Sequence, residues 1–234
     1  MSDCRRGYVP TDEKEFGSES QVILRKAQKD ILYLLEQGYK VKSASTFVGN
    51  HYMLSERQRL AIVRATATAD ILTLRAGKRL SRNQAGKTMF IDGLNVIITL
   101  EVALSNSTLI HCMDGTIRDL AGLRGTYRLI DKTEEAIRFI GEELMELEVE
   151  EVIFYLDAPV SNTGRLKQKL LELLKDYPYS VTVELVDNPD VILSHRGNVI
   201  SQDSIILNEC ESWFNMVPEI INKYIPEAKF VELR

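Results

Sequence analysis

The polar and apolar positions change their rhythm once along the chain. From Ser18 onward Val22, Leu24, Ala27, Ile31, Leu34 and Leu35 recur with a helical period, and Gly38 ends the run. A shorter helix is predicted over about Lys42 to Val48. A third begins at Ser55, which with Gln58 three places on makes a capping-box pair, and continues through Leu60, Ile62, Val63, Ala67, Ile71 and Leu74 to Gly77. The polar, basic stretch 78–87 then leads into a different texture. Apolar runs at Thr88–Ile91, Leu109–Met113, Val152–Leu156, Val181–Val186 and Val199–Ser201 read as buried strands, with helical patterns at Thr133–Leu147 and Arg165–Leu174 between them. A helix from Pro218 and a strand from Lys229 to Leu233 follow. Strands that are apolar on both faces and separated by helices imply a mainly parallel sheet covered on both sides, an α/β fold.

Composition adds limits. The 234 residues are 44% apolar and 27% charged, as in an ordinary globular protein. No run reaches the roughly 18 to 20 apolar residues that span a bilayer, and the N-terminus lacks the apolar centre of a signal peptide, so the expectation is a cytoplasmic protein with no membrane partner. Cys4, Cys112 and Cys210 lie far apart, which argues against a disulfide framework or a zinc site. Residues 1–17, polar with Gly and Pro, are expected as a flexible arm, 18–80 as a small helical domain, and 81–234 as the α/β domain.

Net charge is -5, but it is unevenly spread. Residues 1–87 hold 16 Lys and Arg against 9 Asp and Glu, and residues 88–234 hold 13 against 25. A module of +7 is joined to one of -12. Such a split suits either a basic module that meets a polyanion beside an acidic one that holds cations, or two solvated surfaces. The three helices could form a helix-turn-helix presenting Arg57, Arg59 and Arg64 to a phosphate backbone, or a bundle that packs on a neighbour or in a homodimer.

Gly86-Lys87-Thr88 suggests a phosphate-binding loop, but position 81 is Ser where that loop needs Gly, and the strand follows the motif instead of preceding it. The next residues matter more. The strand ends on Asp92, and three further strands also end on acids: one on Asp157, one on Asp187 with Asp190 close behind, and one on Asp203. At the carboxyl edge of a parallel sheet these carboxylates would gather into one pocket. Their repulsion is relieved by a divalent cation, and an all-oxygen donor set points to Mg²⁺ or Mn²⁺. Each Asp, taken alone, could equally be a turn or helix-start residue, Asp190 after Pro189 above all.

Asp92-Gly93-Leu94-Asn95-Val96 resembles the D-G-x-N-V opening of the NYN branch of the PIN-like ribonucleases, and Gly197-Asn198-Val199-Ile200-Ser201-Gln202-Asp203 resembles their late strand ending in S/T-x-D. The resemblance implies a three-layer PIN-like, Rossmannoid domain and metal roles for Asp92 and Asp203, with Asn95 and Ser201 as supporting polar groups. The whole chain is also similar to the family called domain of unknown function 434, a helical module ahead of a PIN-like domain. Which of Glu101, Asp157, Asp187 and Asp190 completes the metal site stays open. Gly164 and Arg165, at a helix start after Asp157, could hold a phosphate or simply cap that helix; Arg118 and Arg124 could steady a nucleic-acid backbone or be surface charges.

The function expected is metal-dependent phosphodiester hydrolysis, with RNA, or DNA, as the partner. One rival is a phosphatase of the haloacid-dehalogenase type, which requires a second Asp two places after the first, where this chain has Leu94. The other is a non-catalytic nucleic-acid-binding or assembly protein on a degenerate nuclease fold.

Overall fold

The computed structural model describes residues 4–122 and 125–233. After a short turn, α1 (Asp12–Glu15), the helical segment comprises α2 (Ser18–Glu36), α3 (Val41–His51), α4 (Glu56–Ala65) and α5 (Ala69–Lys78). The Ser55–Gln58 capping box forms at the start of α4. The single third helix expected to Gly77 is instead split. Thr66 and Thr68 are extended, Thr66 Oγ1 bonds the carbonyl of Ile62 at 2.6 Å, and the Ala65 carbonyl is taken by Met113 N–H at 3.0 Å. Two β-branched residues and a tertiary bond to the final carbonyl end α4 at that point.

The α/β part follows in the order β1 (Arg79–Leu80), β2 (Thr88–Asp92), α6 (Gly93–Leu104), β3 (Leu109–His111), β4 (Ile117–Asp119), α7 (Asp131–Glu146), β5 (Glu151–Asp157), α8 (Thr163–Leu174), β6 (Ser180–Val186), α9 (Pro189–Leu193), β7 (Val199–Ile200), α10 (Ser204–Glu209), β8 (Trp213–Phe214), α11 (Met216–Tyr224) and β9 (Phe230–Glu232). Six strands form one sheet in the order β1-β8-β7-β2-β5-β6, and all of its pairings are parallel. Alternation along the strands serves both faces. Met89, Ile91, Val152, Phe154 and Leu156 point into one core with α6, α7, α8 and α11; Phe90, Ile153 and Tyr155 meet α9 and α10 on the other face. The result is a three-layer α/β fold with an N-terminal helical part.

Two strands expected in that sheet lie elsewhere. β3 pairs antiparallel with β4 and parallel with β9, making a separate three-stranded sheet. Its Ile110 and Val231, with Cys112, Leu120 and Leu233 just past its strand ends, share a core with Leu24, Ile31, Val48 and Ile62, so the helical segment sits on this smaller sheet. Residues 4–16, expected within a flexible arm, are tied to the body. Arg57 holds Asp12 with two bonds of 2.6 and 2.8 Å and also bonds the carbonyls of Gly7 and Leu120, while Arg6 Nε bonds Glu101 at 2.8 Å. Among the described residues no helix is long and apolar enough to cross a membrane.

The sheet has a switch point. From β2 the chain adds β5 and β6 on one side and then returns to place β7 and β8 on the other. The carboxyl ends of β2 and β7 therefore diverge into a crevice, where open α/β folds bind ligands.

Candidate metal centre

Asp92, the last residue of β2, stands at that crevice and is 5% exposed. Gly93 then starts α6 so close to β5 that a Cβ there would lie 2.6 Å from Leu156 Cδ2 and 3.2 Å from the carbonyl of Tyr155. Only glycine lets the helix begin at this distance. One turn further, Asn95 Oδ1 accepts from Gln202 N–H at 2.8 Å. Across the switch point, Ser201 Oγ donates to Asp92 Oδ2 at 2.8 Å and accepts from Asp203 N–H at 3.0 Å. Asp203 Oδ1 caps α10 by accepting from the N–H groups of Ile205 and Ile206 at 2.7 and 3.4 Å. The Asp92–Asn95 and Ser201–Asp203 segments are thus latched to each other by two side chains.

A pocket of about 530 Å³ opens here, lined by Asp92, Asp157, Asp190 and Asp203. Asp157 comes from the end of β5 and Asp190 from the first turn of α9. Burial pushes the Asp92 carboxyl up to about 8, the Ser201 hydrogen bond opposes this, and Asp190, Asp203 and Asp157 add repulsion. Asp157 is raised by burial, and Asp190 by burial and by repulsion from Asp203 and Asp157. Among the described residues no donor reaches Asp92 Oδ1. Nor does any set of three His, Cys, Asp or Glu close on a point that could hold an ion unaided. The donors still fit Mg²⁺ or Mn²⁺: magnesium is commonly held by one or two carboxylates with waters and a substrate phosphate completing its shell.

The other expected site residues divide. Asp187 is exposed and does not line the pocket, and neither do Gly164 and Arg165, which are exposed at the start of α8. Glu101 is fully buried in a separate network, accepting from Tyr127 Oη at 2.6 Å, Thr133 Oγ1 and Arg6. Arg124 lies outside the described residues. Arg118 does line the pocket, but as a brace: its Nε bonds the carbonyl of Gln202 at 2.8 Å, Nη1 that of Arg64, and Nη2 Asp114 Oδ2 at 2.7 Å. Arg75, from α5, joins the same Asp114 oxygen at 2.5 Å and bonds the Ser204 carbonyl at 3.2 Å. The two arginines hold the chain on either side of Asp203.

Thr99 and Asp119 also line the pocket and escaped sequence reasoning, whereas Arg64, expected to face a phosphate backbone, lines it too. Thr99 Oγ1 donates to Asp119 Oδ2 at 3.1 Å, and burial raises the Asp119 carboxyl. Ile117-Arg118-Asp119 is another strand that ends on Asp, the signal that marked the others.

Residues 81–219, more than half of the chain, match the family described as Domain of unknown function (DUF5616), and residues 23–78 match Protein of unknown function (DUF434). The likeness to family 434 expected along the whole chain is therefore confined to the helical segment. A protein of Methanocaldococcus jannaschii named Uncharacterized protein MJ0935 is 38% identical over 186 residues, which cover 79% of this chain and 88% of that protein. No solved structure matches the chain.

Proposed function

The chain belongs to the DUF5616 family, and we propose that it is a metal-dependent nuclease that hydrolyses phosphodiester bonds in RNA. The observation that carries this reading is the meeting of Asp92, Asp157, Asp190 and Asp203 in one pocket at the switch point of the sheet. The resemblance of Asp92-Gly93-Leu94-Asn95-Val96 and Ser201-Gln202-Asp203 to the PIN-like ribonucleases supports it. When bound, Mg²⁺ or Mn²⁺ would neutralise the pocket and supply an activated water. Asp92 and Asp203 are the residues that would hold the ion, with Asp157 and Asp190 beside them.

The chain's own contribution is orientation. Ser201 fixes the Asp92 carboxylate and, through the Asp203 N–H, sets the backbone of the facing segment. Asn95 fixes the neighbouring Gln202 N–H, so both walls keep their spacing. Asp157 and Asp190, half-buried and with raised carboxyl pKa, are suited to take the proton of an attacking water at a carboxylate oxygen.

Incubation with a mixed RNA pool and Mn²⁺ tests the reading, with single-stranded DNA in parallel. Cleavage by the unsubstituted protein that is lost in Asp92→Asn and Asp203→Asn supports it. One observation favours a second reading, a non-catalytic nucleic-acid-binding or assembly protein: no three potential ligands among the described residues close on one ion position. RNA binding without cleavage, unchanged by Mn²⁺, would support that one. A haloacid-dehalogenase-type phosphatase lacks its second Asp, because Leu94 is there and is buried.

A further inference from the structure

The acidic pocket has one wall that does not come from the α/β part. Arg64, in the last turn of α4, lines it together with Asp92, Asp157, Asp190 and Asp203. Its placement follows from the docking of the helical segment on the smaller sheet. Ala61, Ile62 and Ala65 of α4 are buried there, in the core shared with Ile110, Cys112 and Leu120. The backbone at Arg64 is fixed by Arg118 Nη1, which donates to its carbonyl, and Arg64 Nη1 donates in turn to the carbonyl of Asp119. Arg64 thus stands at the mouth of β4, facing the strand ends that carry the carboxylates.

Among the described residues two arginines line this pocket, and they differ in what they have left to offer. Each of the three nitrogens of Arg118 already donates to a protein acceptor, and its side chain is 10% exposed. Arg64 is 36% exposed; its nearest approach to a carboxylate is 3.9 Å, to Asp119 Oδ1. Among the described residues only its Nη1 makes a hydrogen bond, which leaves Nε and Nη2 for a ligand. A guanidinium with two adjacent free N–H groups matches two oxygens of a phosphate. A carboxylate-lined pocket repels a polyanion, so a cation at its rim is what lets the backbone of a nucleic acid approach.

We infer that Arg64 is a substrate-contacting residue of this pocket, binding a backbone phosphate of single-stranded RNA, and that the helical segment thereby completes a site whose acids all come from the α/β part. The inference rests on the nuclease reading above. It also gives the basic half of the chain a specific task, through one residue of α4 that reaches the acids.

The test measures binding of a labelled single-stranded RNA to the full chain in Ca²⁺, over a series of KCl concentrations, beside a Mn²⁺ titration of the protein alone. Arg64→Ala is expected to bind Mn²⁺ as the unsubstituted protein does, to lose about tenfold in RNA affinity, and to lower the slope of log affinity against log salt by about 0.7, one phosphate's worth for a single strand. Arg64→Lys, which keeps the charge but not the fork of N–H groups, is expected to retain the slope and part of the affinity; it also serves should the alanine variant melt early. Equal RNA affinity and slope in all three proteins, with Mn²⁺ bound by all, overturns this inference alone. A protein that binds RNA through Arg64 but takes up no Mn²⁺ overturns the nuclease reading alone, and one that binds no RNA overturns both.

Discussion

Ser201 Oγ lies 2.8 Å from Asp92 Oδ2 and joins two strands that are neighbours in the sheet but far apart in the sequence. The bond is made to a carboxylate that is 5% exposed, so it stabilises the charged form where water cannot.

Ser201→Ala removes that donor. A hydrogen bond to a charged, buried group contributes about 1.5–3 kcal/mol, so the Asp92 carboxyl should rise by a further one to two pH units, at about 1.4 kcal/mol each. Mn²⁺ binding followed against pH should have its midpoint displaced upward by that amount. An unchanged midpoint would mean that Asp92 does not take part in binding the ion.

The Asp92 carboxyl stands near 8 in the folded protein, above its unfolded value. The folded state then holds a proton that the unfolded chain releases, so this group reduces stability progressively as pH rises from about 4 to about 8. In EDTA, Asp92→Asn should therefore match the unsubstituted protein near pH 4 and exceed it in melting temperature at pH 8. Saturating Mn²⁺ should abolish the difference or reverse it. Parallel melting curves at every pH would refute the assignment.

Asp114 faces two buried arginines through one oxygen, Arg75 at 2.5 Å and Arg118 at 2.7 Å. Asp114→Ala leaves both uncompensated and should cost about 3–5 kcal/mol in chemical denaturation. Because the two arginines hold the carbonyls of Gln202 and Ser204, Mn²⁺ affinity should fall as well. A loss of stability with full metal affinity would show that this cluster does not position Asp203.

Gly93→Ala places a methyl group 3.2 Å from the Tyr155 carbonyl, which is fixed within β5, and 2.6 Å from Leu156 Cδ2. The start of α6 must shift outward, at about 1–3 kcal/mol. The expected signature is a lower melting temperature, with Asn95 drawn off Gln202 N–H and that amide exchanging faster with solvent. Unaltered exchange at Gln202 would separate the helix start from the latch.

Much of the architecture could be read from the chain because its signals are local. Asp92 and Asp157 follow directly on short apolar runs and Asp203 comes three residues after Ile200, and a parallel sheet brings such ends to one edge whatever the strand order. Asp190 was within reach for the same reason, whereas Asp187, one turn of backbone away, ends exposed. What could not be read depends on pairing. Nothing local to Leu109–His111 or Phe230–Glu232 says that they leave the main sheet for one of their own. The break at Thr66 depends partly on Met113, which bonds the Ala65 carbonyl from a distant segment. Arg64 reaches the pocket only because α4 docks on the smaller sheet, and Arg118 looks like a free surface cation until its three acceptors are seen. Gly93–Leu104 is buried nearly all round, so it has no polar face to mark a helical period.

The most direct test of the central claim is crystallographic. Crystals of the protein soaked in Mn²⁺ should show an anomalous peak in the pocket between β2 and β7, about 2.2 Å from an oxygen of Asp92 and lost in Asp92→Asn. No peak there at saturating Mn²⁺, or one that persists unchanged in the Asp92→Asn crystals, would contradict the account.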